Sequence, residues 1–121
     1  MDYPRYYLCK CENENETSVI VEEYEAYIFD PKCDAMLGPP DALALYKLSK
    51  RFSTKDRDVY IGVEIKLGAV PVQTVAILLV DKNANEALLI YDDDKRKEGD
   101  ICMCKEVAVE ELEKICNETN T

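Results

Sequence analysis

Hydrophobic and polar positions alternate most clearly in the middle of the chain. Val59, Ile61, Val63, Ile65 and Leu67 take turns with Tyr60, Gly62, Glu64 and Lys66, which is the period of a β-strand. The next stretch, 70–81, is apolar at almost every position, as a strand covered on both faces reads. An apolar run of this kind is also compatible with a helix. The turn-forming Asp81-Lys82-Asn83-Ala84-Asn85 after it favours a strand over 74–80, with a returning strand at 86–91. The whole of 59–91 is therefore expected to form the centre of a sheet.

The flanks are read the same way. Tyr3 to Glu12 forms a strand that puts Arg5, Tyr7, Cys9 and Cys11 on one face and Tyr6, Leu8, Lys10 and Glu12 on the other. Ser18 to Asp30 reads as one strand, broken in its pattern by Glu22, where a bulge or an edge position is expected. Pro31 ends it, and a loop carries Cys33 to the breaker Gly38-Pro39-Pro40. Leu45, Leu48 and Phe52 fall at helical spacing and predict a helix over 41–52. Ile101 to Val107 is the last strand. Ala108 to Glu118 is a C-terminal helix with Val109, Leu112, Ile115 and Cys116 on its inner stripe. The predicted order is ββαββββα. It implies an α+β fold in one domain, 1–121, with a mostly antiparallel sheet of five to six strands and two helices packed on one face.

Charge narrows the function. With 121 residues and a formal net charge of −10, the chain repels bare phosphate backbones, so direct nucleic-acid binding is disfavoured. A local basic island at Lys47, Lys50, Arg51, Lys55 and Arg57 is read as a helix end and a solvated loop. No secretory-type apolar segment opens the sequence, and the longest uncharged run, 67–80, is too short to span a bilayer. The expectation is an intracellular, cytoplasmic protein without a membrane role. The chain has six cysteines and no histidine or tryptophan, and it is rich in Glu, Lys, Val, Ile and Tyr. That bias resembles hyperthermophile proteins, in which intracellular disulfides persist.

Cys9-x-Cys11 and Cys102-x-Cys104 are the sharpest local pattern. Residues two apart on a strand share a face, so antiparallel pairing of the first and last strands would gather all four sulfurs. Three readings stay open. The thiols are buried as small apolar groups. Or they form disulfides, across adjacent strands or from Cys33 or Cys116 to a pair member; six cysteines allow 15 connectivities. Or Cys9, Cys11, Cys102 and Cys104 hold a metal, zinc first, although a one-residue spacer departs from the usual Cys-x2-4-Cys.

Catalytic signals are sparse. Without histidine, Ser/His/Asp and Cys/His machinery is excluded. Glu64-x-Lys66 on its strand resembles the Glu-x-Lys half-motif of the PD-(D/E)xK nucleases. That resemblance implies a divalent cation held by carboxylates, with Asp58 as the nearest upstream acid and Lys66 orienting water or stabilising charge. The upstream acidic helix and the crossover of that family are missing. The favoured expectation is a small, acidic, non-enzymatic protein-interaction module, with no cofactor. An exposed edge within 18–30 would serve homodimerisation or strand addition to a protein partner.

Overall fold

In the computed structural model, which describes residues 3–12, 14–64, 75–92 and 100–119, the chain runs as an antiparallel meander whose last strand pairs with its first. The strands are β1 (Arg5–Cys11), β2 (Glu16–Val21), β3 (Glu25–Phe29), β4 (Tyr46–Ser53), β5 (Arg57–Glu64), β6 (Val75–Asp81), β7 (Glu86–Asp92) and β8 (Asp100–Val107). Among the described residues these eight make a closed barrel. A 3-10 turn at Lys32–Met36 and the short helix α1 (Pro40–Leu43) lie between β3 and β4, and α2 (Val109–Thr119) follows β8.

This corrects the α+β expectation of an open sheet under two helices. Two local differences account for it. The stretch 18–30 is two strands, not one: Glu22, Glu23 and Tyr24 make a hairpin turn, with the Glu22 N–H donating to the Glu25 carbonyl at 2.8 Å. The stretch 41–52 is mostly strand, not helix. Tyr46 and Leu48 are buried while Lys47 and Ser49 point out, and Phe52 is 63% exposed. The Leu45, Leu48, Phe52 spacing fits a helical stripe, but Tyr46-Lys47-Leu48-Ser49 also fits period two. Pairing with β3 and β5 on either side decides for the strand. Each difference adds a strand, and the enlarged sheet rolls until β8 meets β1.

The interior of an eight-strand barrel is just wide enough to be filled by side chains. Here Tyr7, Tyr46, Tyr60 and Tyr91 enter it among Cys9, Val19, Ile28, Leu48, Leu78 and Leu89. Tyr46 and Tyr91 tilt against each other with ring centroids 5.2 Å apart. The Tyr60 hydroxyl donates to the Glu22 carbonyl at 2.9 Å, tying the β2–β3 turn over one mouth of the barrel. Aromatic bulk is matched by absence elsewhere. Gly62 faces Leu48 of β4, and a Cβ on it would lie 2.0 Å from the Lys47 carbonyl oxygen and 2.7 Å from the Leu48 Cα. Glycine is what lets β4 and β5 close up there.

A second apolar layer lies outside the barrel. Ile20, Tyr27 and Phe29 on the outer face of β2 and β3 are covered by Ala35 of the 3-10 turn and by Leu112 and Cys116 of α2. The Ser18 hydroxyl donates to the Lys32 carbonyl at 2.7 Å and anchors that turn. The outer faces of β5 to β8 carry no such cover among the described residues.

Candidate functional site

The strand register settles the cysteine pattern. β1 and β8 are antiparallel, with Cys9 opposite Cys104 and Cys11 opposite Cys102. Both pairs point inward, are almost fully buried, and are bonded as disulfides. They form two adjacent rungs across the line where the barrel closes. Cys33 and Cys116 join each other, not a member of the two pairs, and fasten α2 to the 3-10 turn. A sulfur bonded to sulfur has no thiolate to offer a metal. Among the described residues no group of three or more Cys, Asp or Glu is arranged to hold an ion.

Asp58 and Glu64 lie near the two ends of β5, six residues apart. At about 3.3 Å per residue that is roughly 20 Å, too far to share one cation. Lys66 lies outside the described residues. Asp58 has other work. Its carboxylate accepts from the Ser53 hydroxyl at 2.6 Å and lies 3.3 Å from the Lys82 ammonium and 3.7 Å from that of Lys50. Lys82 also donates to the Thr54 carbonyl at 2.7 Å. Lys50 stands over the rings of Tyr60 and Tyr24. These contacts pin the β4–β5 and β6–β7 turns together at one mouth of the barrel.

Burial alone would raise the Asp58 carboxyl. The Ser53 hydrogen bond and the two lysines outweigh it and hold the group below its ordinary value. The stability this contributes is present above the ordinary carboxyl value, about 3.9, and is lost as pH falls through the lowered one. Asp58→Asn is expected to cost about 1–3 kcal/mol at neutral pH, because Lys82 and Lys50 lose their partner. It is also expected to flatten the acid limb of the stability curve, as read by urea unfolding between about pH 2 and pH 7. An unchanged acid limb would remove Asp58 as its source.

The basic island does not act as a unit. Lys47 is on the outer face of β4, paired with Glu25 at 3.2 Å and Asp41 at 3.4 Å, while Lys50 turns to Asp58. A second basic run, Lys95-Arg96-Lys97, which could continue the island in sequence, lies outside the described residues.

The feature that sequence reading did not anticipate is on the outer surface. Directly opposed residues on neighbouring strands share a face, and two apolar rows cross the barrel wall. Ile61, Ile77, Ile90 and Ile101 form one row over β5, β6, β7 and β8. Val59, Leu79, Leu88 and Met103 form the next. Phe52 prolongs the second row onto β4, and Val63 opposite Val75 begins a third. Met103 is 73% exposed and Val63 56%. Two rows over four strands about 4.8 Å apart give an apolar band roughly 15 Å long. Arg57 opposite Asp81, and Glu86 opposite Lys105, edge it at the mouth that holds Asp58. A cleft of about 160 Å³ opens there between Leu79, Leu88 and Met103. The signal was present in the sequence as β6 and β7 being apolar on both faces. Only the barrel shows which face is left outside.

Closure also bears on the edge expected at 18–30. β2 and β3 are each paired on both sides, so neither offers a free ladder. No helix among the described residues is long and apolar enough to cross a membrane. Comparison with family models, with curated proteins and with solved structures finds no match, so the functional reading rests on the residues and the geometry.

Proposed function

We propose that this chain is a small, acidic, non-enzymatic interaction module that presents the β5–β8 wall to another protein surface. The observation that carries the reading is the pair of apolar rows, Ile61 to Ile101 and Val59 to Met103, outside a barrel whose interior is already filled. Leaving such a surface in water forgoes burial worth about 25 cal/mol per Å². An apolar centre edged by Arg57, Asp81, Glu86 and Lys105 has the layout of a protein interface. Docking is by sheet face and not by strand addition, because the barrel leaves no open ladder for β2 or β3. Three disulfides in a Glu- and Lys-rich chain support a setting in which cross-links persist inside cells, such as an accessory or viral protein of a thermophilic archaeon.

The test is comparative capture from native lysate of the source. The wild-type chain is expected to retain a protein that Ile77→Lys/Leu88→Lys loses and that Lys114→Ala, on α2, keeps. Equal retention by all three would remove the wall as the docking surface.

A further inference from the structure

We propose that the Cys33–Cys116 bond is a redox-operated clasp. Reduced by a dithiol, it frees α2 from the barrel and uncovers the apolar outer face of β2 and β3. The three cross-links differ in where they stand. Cys9, Cys11, Cys102 and Cys104 are at most 5% exposed, inside the barrel. Their strands are each laddered to a further neighbour, β1 to β2 and β8 to β7, so reaching these sulfurs means opening the ring. Cys33 stands outside the ring, half-buried on the 3-10 turn, where an attacking thiolate can approach.

The exchange is balanced by the dithiol alone. One of its thiolates bonds to the Cys33 sulfur and expels the Cys116 thiolate, which takes up a proton. Its second thiol then attacks the reductant's own bound sulfur and expels the Cys33 thiolate. The protein gains two electrons and two protons, and the reductant leaves as a disulfide.

What remains to hold α2 is slight. The helix is 11 residues long, and a helix of that length is marginal by itself in water. Only Leu112 and Cys116 of it are buried, against the layer that contains Ile20, Tyr27, Phe29 and Ala35. It carries four glutamates to one lysine, with no base in its last turn, on a chain of net −10. Charge therefore favours its departure, and the helix dipole is uncompensated at its C-terminal end. The barrel is expected to outlast the change, because its ladders and both rungs are untouched. Ile20, Tyr27 and Phe29, now at most 5% exposed, would then meet solvent or a partner only under reducing conditions.

The test equilibrates the full-length oxidised chain, without denaturant, against a series of reduced-to-oxidised dithiothreitol ratios. Alkylation and peptide mass spectrometry then map the free thiols. Cys33 and Cys116 are expected to label together at ratios that leave the other four unlabelled. At those ratios the amides of 109–119 should lose hydrogen-exchange protection by about tenfold or more, while those of β1 and β8 keep theirs. Cys33→Ala/Cys116→Ala should show the same loss without reductant, and Cys9→Ala/Cys104→Ala should not. If the alanine variant fails to fold, the wild-type titration alone still decides. Rungs that open before or together with Cys33–Cys116, or a bond that resists dithiol until the chain is unfolded, overturn the clasp. So does an α2 that stays protected once the bond is gone.

Discussion

Replacing Cys9, Cys11, Cys102 and Cys104 together with alanine is expected to destabilise the barrel far beyond the sum of the two single-pair replacements. The rungs join residues 95 and 91 apart in the chain. A cross-link closing a loop of that size restricts the unfolded chain by about 4–5 kcal/mol in the chain-entropy view. That restriction is counted once. Cys9 and Cys11 are separated by Lys10 alone, and Cys102 and Cys104 by Met103 alone. With either rung in place the long loop is already closed, and the second adds only a small ring. Removing one pair should then cost roughly 1–2 kcal/mol, mainly the packing of two buried sulfurs. Removing both should add a coupling of about 2–3 kcal/mol, because the Cys33–Cys116 bond still shortens the loop; that is a large fraction of the 5–15 kcal/mol that holds an ordinary domain together. Urea midpoints of the wild type, the two double variants and the quadruple variant complete the cycle. Additivity within about 0.5 kcal/mol would mean that the rungs do not share one loop.

Gly62→Ala carries the next largest expectation, a loss of about 3 kcal/mol. The added methyl would meet backbone atoms of β4, the Lys47 carbonyl at 2.0 Å and the Leu48 Cα at 2.7 Å. An open sheet relieves such a clash by letting an edge strand move. In this barrel β4 is also held by β3 and β5 by β6, so widening one gap strains the whole ring. The Leu48 side chain is touched as well, at 2.8 Å. A Leu48→Ala background should nevertheless fail to rescue Gly62→Ala, because the closest obstacle is main chain. Thermal unfolding of the two single variants and the double variant decides it. A Gly62→Ala protein as stable as wild type would mean that β4 and β5 do not approach so closely.

Much of this structure was legible in the sequence, and what was not has physical reasons. The strand character of 59–64, 75–81 and 86–92, the shared face of Tyr7, Cys9 and Cys11, and the α2 stripe through Leu112 and Cys116 follow from local periodicity. The two Cys-x-Cys pairs posed the pairing of β1 with β8 as a condition for gathering four sulfurs, and the strand register meets it. Closure is a property of the whole ring, and no window of residues announces it. Leu45, Leu48 and Phe52 satisfy helical spacing while Tyr46 and Leu48 satisfy alternation, and only the partners on either side choose. The orientation of β5 was the hardest to read. Val59, Ile61 and Val63 look like a core face, yet they stand outside while Asp58, Tyr60 and Gly62 point in. Hydropathy ranks affinity for water, whereas a narrow closed interior selects for volume. On β5 it takes Tyr60, whose ring reaches a mouth, and Gly62, which occupies no side-chain volume. The candidate chemistry divides similarly. Spacing left fifteen cysteine pairings open, and register chose among them. Asp58 and Glu64 share a strand, but the length of β5 keeps them apart.

The interior aromatic set also determines how the molecule can be observed. The chain has eight tyrosines and no tryptophan, so its near-ultraviolet absorption and emission are essentially phenolic. Tyr7, Tyr46, Tyr60 and Tyr91, half of those chromophores, stand inside the barrel. Light absorbed by this protein is therefore taken up in large part by the rings that fill its centre, and its optical spectrum is a built-in gauge of whether that centre is intact.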